Sequence, residues 1–134
     1  MAILGGDASH TAPSGIMTAT AGVKGQPLGY GTNYKEVALA AASTTIPLGI
    51  AAEDAAQNAH ISYHLPVGIF VGLASAAIAK AVLVGATTGG KFVTVTKGGT
   101  ATEADYVWGT SFSAAGADLD YFELMFNWYG ENLT

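Results

Sequence analysis

The sequence predicts an all-β protein, a small β-sandwich or β-barrel built from two weakly similar β-units that follow an extended N-terminal arm. Three observations predict this class. Short runs rich in valine, isoleucine, threonine and aromatic residues alternate with glycine-containing turns. No stretch combines apolar residues at helical spacing with capping residues. The motifs of the first half of the chain return in the same order in the second half.

The first 15 residues, MAILGGDASHTAPSG, place glycine, proline and serine around a short apolar run at Ile3 and Leu4. Such a composition is typical of an extended segment rather than of a core element. We therefore expect an arm over residues 1–15 and a single β-rich domain over residues 16–134, which is long enough to enclose one core.

Three segments carry the clearest strand signals. His60–Leu65 alternates polar and apolar residues, as a half-buried strand does. Phe92–Thr96 is rich in β-branched residues and precedes a glycine turn. Tyr121–Tyr129 is the densest aromatic stretch and predicts a final strand. Gly85–Lys91 predicts a glycine-rich turn between two strands.

The chain repeats itself weakly, with a spacing that drifts by a few residues. In order, Ala21–Leu28 resembles Ala76–Leu83, Lys35–Val37 resembles Lys91–Val93, Pro47–Gly49 resembles Val107–Gly109, and Asp54–Ala56 resembles Ser113–Ala115. Two related β-units packed together would bury surface that neither could bury alone.

The charge pattern argues against two classes of partner. The net charge is −5, and the five basic residues are all lysines scattered singly along the chain. Nucleic acids and anionic membrane surfaces both attract clustered positive charge, so we expect neither as a partner. Val67–Ala86 imitates a membrane span, but Lys80 within it would cost about 2.5–3.5 kcal/mol on insertion.

The segment Gly85–Lys91 matches the spacing G-x-x-x-x-G-K of phosphate-binding loops. Such a loop also needs a serine or threonine next and a helix after it. The next residue is Phe92, in a predicted strand, so the motif predicts a hairpin turn.

Metal and acid–base chemistry find little support. His60 and His64 flank Ser62 on one predicted strand face, and no third ligand has a spacing that recommends it. Three carboxylate pairs fall in predicted loops, where solvation explains them: Glu53 with Asp54, Glu103 with Asp105, and Asp118 with Asp120. The chain has no cysteine. We expect no catalytic residue, cofactor or metal site, and therefore no enzyme.

The aromatic residues near the C-terminus are candidates for partner contacts. Large aromatic side chains pack in cores and also favour interfaces, and both alternatives are open for Trp128 and Tyr129.

The order of these elements resembles the small, alanine- and glycine-rich capsid-decoration (cement, or head-stabilising) proteins of tailed bacteriophages. The residues that carry the resemblance lie mainly in the first unit. They are Val23–Leu28, Lys35–Val37, Leu48–Ala51, Asp54–Ala56 and the linking segment Leu65–Phe70. The second unit departs from the family pattern at Trp108–Ser111, and the likeness covers roughly residues 16–126.

The resemblance implies a virion protein, made in the host cytoplasm, that binds the outside of an icosahedral head, often as a homotrimer, and stabilises it. Its partners would be the major capsid protein and its own copies. On this basis the arm, through Ile3, Leu4 and His10, and the region Phe126–Tyr129 are hypothesised to contact those partners.

Two alternatives stay open from the sequence. One is another non-enzymatic virion component, such as a head-fibre base or a tail accessory protein. The other is a small ligand-binding β-barrel, for which Tyr30, Tyr34 and His64 are the candidate polar groups.

Overall fold

The computed structural model describes residues 13–18, 20–65, 67–95 and 106–126, which form ten β-strands joined by turns and include no helix. The strands are β1 Ser14–Met17, β2 Pro27–Tyr30, β3 Glu36–Leu39, β4 Gly49–Ala51, β5 His60–His64, β6 Gly68–Leu73, β7 Leu83–Thr87, β8 Lys91–Thr94, β9 Gly109–Ser111 and β10 Tyr121–Phe126. The predicted all-β class is confirmed.

The ten strands form two units of five with the same connectivity. In the first unit, the strand order β1-β3-β2-β4-β5 closes into a barrel because β1 also pairs with β5. In the second unit, the sheet order is β6-β10-β9-β7-β8. A parallel bridge from Ala74 to Phe92 joins β6 to β8, in the place where β1 joins β3. The two predicted β-units are therefore present.

The strand register shows which residues of the two units correspond. Leu28 pairs with Gly49 in the first unit, as Val84 pairs with Gly109 in the second. The same unusual backbone conformation also returns at three matched positions. Positive φ angles occur at Gly25 and Ala81, at Lys35 and Gly90, and at Asn58 and Leu119.

The sequence alignment of the units is right in one place and shifted in others. Pro47–Gly49 does correspond to Val107–Gly109. Val37, however, corresponds to Phe92 rather than to Val93, because Val37 pairs with Met17 and Phe92 forms the equivalent parallel bridge with Ala74. The sequence alignment is shifted because the many small residues of both units offer few distinctive positions from which the strand register can be predicted.

The first unit inserts a turn into the second. In the first barrel, the Ile16 N–H closes the seam by donating to the Lys35 carbonyl at 2.8 Å. In the second unit, the corresponding Leu73 N–H donates instead to the Gly25 carbonyl at 2.9 Å. The Gln26 side chain, 7% exposed, donates from Nε2 to the Gly90 carbonyl at 3.0 Å. The turn at Gly25 and Gln26 therefore lies between β6 and β8.

Two hydrophobic clusters fill the molecule. The smaller cluster occupies the first barrel around Met17, Leu28 and Ile61. The larger one is built on Phe92, Trp108, Phe122 and Phe126 of the second unit, and Ala40 and Ile50 of the first unit join it. The two units thus share part of a core.

Some predicted bounds differ from the observed ones. Residues 1–12 lie outside the described residues, and the last two residues of the predicted arm, Ser14 and Gly15, belong to β1. The turn predicted over Gly85–Lys91 was too long, since residues 85–87 continue β7 and only residues 88–90 turn. Three consecutive buried residues, Val84, Gly85 and Ala86, explain this, because small residues can continue a strand that is packed on both faces.

Candidate interaction surface

An exposed apolar surface lies on the outside of β6 and β10. Val67 is 80% exposed, Ile69 45%, Val71 37%, Tyr121 50% and Met125 41%. Side chains alternate along a strand, so residues 122, 124 and 126 face the core and their neighbours face outward. We call these five residues, together with Glu123, the β6–β10 face.

Cross-strand pairing makes this face continuous. Ile69 lies opposite Met125, and Val71 lies opposite Glu123. Directly opposite residues have Cβ atoms only about 5 Å apart, so the apolar side chains form one patch. A shallow depression of about 300 Å³ at its end is lined by Val67, Gly68, Ile69, Met125 and Phe126.

The first unit provides an internal comparison for this face. By register, Ser14 corresponds to Val71 and Ser62 to Glu123. His60 and His64 of the first unit likewise correspond to Tyr121 and Met125. The same outward positions are thus polar in one unit and mostly apolar in the other, so the fold itself does not require apolar residues there.

A second concave feature lies on the first unit. A groove of about 370 Å³ is lined by Tyr30, Tyr34 and Tyr63, together with Lys35 and Glu36. Burial, and secondarily the neighbouring Tyr30, raises the pKa of Tyr63. Glu36 is engaged locally, since its carboxylate accepts hydrogen bonds from the backbone and side-chain N–H groups of Asn33.

The two histidines lie in different surroundings. His60 is exposed, whereas the His64 ring stacks on Phe70 at a centroid distance of 4.1 Å. Burial, and secondarily the charge of Lys24, lowers the pKa of His64. Within the described ranges, no three His, Cys, Asp or Glu side chains converge as a metal site would require. His64 is also absent from the lining of the tyrosine groove, which Tyr30 and Tyr34 do share.

The G-x-x-x-x-G-K motif is a hairpin, as predicted. Thr88–Gly90 form the turn between β7 and β8, and Lys91 is the first residue of β8. The Lys91 ammonium lies 2.6 Å from the Asp118 carboxylate and so pairs with protein rather than facing an open loop.

The loop carboxylates have structural hydrogen-bonding roles. Glu53 accepts from the Ser62 N–H and Asp54 from the Lys24 N–H. Asp120 accepts from the Gly116 N–H at 3.0 Å. Glu103 and Asp105 lie outside the described residues. The described carboxylates hold turns in place instead of converging on a cleft.

Of the six predicted partner contacts, only Phe126 is among the described residues. Its side chain is fully buried and stacks on Trp108 at a centroid distance of 5.6 Å. The ring of Phe126 therefore lies in the core, where it is not available for the predicted partner contact. Ile3, Leu4, His10, Trp128 and Tyr129 lie outside the described residues, and their contacts stay predictions.

Sequence reasoning missed the β6–β10 face. The alternation of Tyr121, Glu123 and Met125 with core residues was the available signal on β10. On β6 the run Val67–Leu73 is apolar at nearly every position, so its pattern did not separate inward from outward residues.

A search of solved structures finds a clear likeness in fold. The chain resembles the N base of the head fibre protein gp8.5 of bacteriophage phi29, with a TM-score of 0.68 and 15% sequence identity. The similarity covers 92% of this chain and 97% of that chain. No protein-family profile and no curated protein matches the sequence. Among the described residues, no helix is long and apolar enough to cross a membrane.

Proposed function

We propose that this chain is a non-enzymatic structural protein of a tailed-phage virion that binds the outer surface of the capsid and stabilises it. One observation carries the proposal. The fold matches the phi29 head-fibre base over nearly the whole length of both chains, including both β-units. The major capsid protein and further copies of the chain, as a homotrimer, are the proposed partners.

The described surface suits such a role. A protein that lies on a shell needs a rigid body and an area that loses water cheaply. The closed first barrel and the shared core supply the rigid body. The β6–β10 face supplies exposed apolar area with Glu123 as its only charged member, and contiguous apolar patches of this kind mark interaction sites on soluble proteins.

A second candidate is the base of a head fibre, which anchors a projecting fibre and does not itself reinforce the shell. The likeness in fold to the N base of the phi29 head fibre specifically favours it. Both candidates require binding to the outside of the head. They differ in whether occupancy changes the mechanical strength of the shell.

Heads made without this chain test the proposal. We expect the purified chain to co-sediment with such heads at saturable stoichiometry. For the cement role, the temperature at which heads release DNA should rise once the sites are filled. Saturable binding with an unchanged release temperature would favour the fibre-base candidate, and no binding to heads would contradict both.

A further inference from the structure

We propose that strand β6 is a strand-addition site, at which residues 1–12 of a second copy of this chain pair as an extra strand. The inference rests on the proposed self-association and deepens it by naming the contact. Strand addition uses the unpaired backbone of a sheet edge for affinity and alternate side chains for specificity. β6 offers both.

Within the part of the chain that the structure describes, the backbone of β6 has no partner at Ile69 and Val71 on the side away from β10. Because the Leu73 N–H donates to Gly25, the backbone groups of Leu73 point away from β10. Backbone direction alternates along a strand, so those of Val71 and Ile69 point the same way. Among the described residues, Ile69 and Val71 pair only with β10, and no hydrogen bond reaches their backbone N–H and C=O groups on the other side.

One position of this edge is apolar where the sister unit is polar. Val71 and Ile69 are β-branched and exposed, whereas Ser14 of the first unit corresponds to Val71. An exposed, apolar edge strand is a template for pairing with another chain, and proteins usually protect such edges with charges or proline. Neither protection is present at Ile69 or Val71, which indicates that this edge is covered in the assembled protein.

The occupant must be an extended segment with free backbone groups. The strands of the first unit are paired on both sides within the closed barrel, so a second copy cannot offer them. Residues 1–12 are the longest run outside the described residues, and they contain the apolar run at Ile3 and Leu4 with Asp7 as their single carboxylate. Twelve extended residues span about 40 Å, well beyond the roughly 14 Å radius of gyration expected for this chain length.

Cysteine cross-linking tests the contact directly, because the chain has no cysteine of its own. One full-length preparation carries Ile3→Cys or Leu4→Cys, and the other carries Ile69→Cys or Val71→Cys. After mixing and mild oxidation we expect a disulfide-linked pair of chains. Tyr34→Cys, at a position 88% exposed on the first unit, is the matched control and should not cross-link to the arm.

A backbone test complements it. Val71→Pro removes only an outward N–H and keeps the pairing with β10, because proline is tolerated where the N–H of an edge strand faces away from the sheet. We expect it to weaken self-association at least tenfold by light scattering, with an unchanged circular dichroism spectrum. Val71→Thr keeps the N–H and the branched shape, and should weaken self-association less.

The outcomes separate this inference from the proposed function. Cross-links between two Val71→Cys chains but none between the arm and β6 would overturn the inference. So would a Val71→Pro variant that folds and associates normally. Binding to heads by the same variants is measured independently, so the capsid role can stand when this contact fails.

Discussion

Aromatic side chains hold the second unit together at the scale of single residues. Trp108 stacks on Phe126, and Phe92 meets Trp108 edge-on at 5.5 Å and Phe122 at 6.0 Å. All four rings are at most 3% exposed. Because their packing is dense and continuous, removing one ring leaves a cavity that its neighbours cannot fill completely.

Phe126→Ala is therefore expected to lower the free energy of unfolding by about 3–5 kcal/mol. Urea denaturation at fixed protein concentration measures the change. Tyr34→Ala, which truncates an exposed aromatic residue, is the control and should change it by no more than about 0.5 kcal/mol. Similar costs for both variants would contradict the placement of Phe126 in the core.

Backbone strain differs between matched positions of the two units. Asn58 has a φ of 67°, a conformation that asparagine tolerates well, whereas Leu119 has a φ of 70° and is 62% exposed. A left-handed conformation costs an ordinary L-residue about 1–2 kcal/mol, and the exposed leucine side chain recovers little of it.

Leu119→Gly is expected to raise the free energy of unfolding by about 1 kcal/mol, since glycine removes the left-handed penalty. Thermal unfolding at fixed concentration measures the change as a higher Tm. Ala114→Gly, on an exposed residue of the same unit, lacks that relief and should slightly lower Tm. A lower Tm for Leu119→Gly would contradict the left-handed backbone at this position.

His64 gives the protein a defined pH response. Burial against Phe70 and the charge of Lys24 lower the pKa of His64 in the folded state, so the unfolded chain binds this proton more tightly. The contribution of His64 to the free energy of unfolding is fully present above about pH 6.5, the ordinary histidine pKa. This contribution is lost as the pH falls through the lowered pKa.

We therefore expect the free energy of unfolding to fall as the pH drops below about 6.5, and His64→Gln to flatten that dependence. Urea unfolding at several pH values checks it. An identical pH dependence in the wild-type protein and the variant would assign the effect to other groups.

At the scale of elements, the seam between the units is the distinctive construction. The second unit would close like the first if β6 and β8 paired along their length, but the Gly25–Gln26 turn occupies the gap. Gly25 has a φ of 91°, and a Cβ there would lie 3.1 Å from the Leu73 nitrogen. A larger residue therefore cannot enter the seam without moving backbone.

Gln26→Ala should destabilise the seam, because it removes the bond to the Gly90 carbonyl and the acceptor for the Val23 N–H at 2.7 Å. A buried group left without a partner costs about 1–3 kcal/mol. Hydrogen exchange should increase at Leu73 and in β8 more than in β3. Uniform or absent changes in exchange would show that the turn does not hold the units together.

The elements were predictable to the extent that their patterns were distinctive. β5 and β10 follow from alternation and aromatic density, and the hairpin at Thr88–Gly90 follows from glycine and from the absence of a helix after Lys91. The inserted turn was not predictable. A glycine and a glutamine carry no periodic signal, and their partners lie 48 and 64 residues away along the chain.

At the scale of the whole molecule, two copies of one topology carry different surfaces. The second unit has apolar residues where the first has serine and histidine, and this difference, rather than the fold, defines the β6–β10 face. The sequence predicted two units and a partner-binding protein. It could not place the surface, because outward positions become visible only when the strand register is known.

The proposed function requires the chain to bind the outside of a phage head. Cryo-electron microscopy of heads lacking the chain, before and after incubation with it, tests this most directly. We expect new density on the outer surface into which the two-unit β-body fits, with copies in contact at symmetry-related positions. Heads that show no added density at a saturating concentration of the folded chain would contradict the proposal.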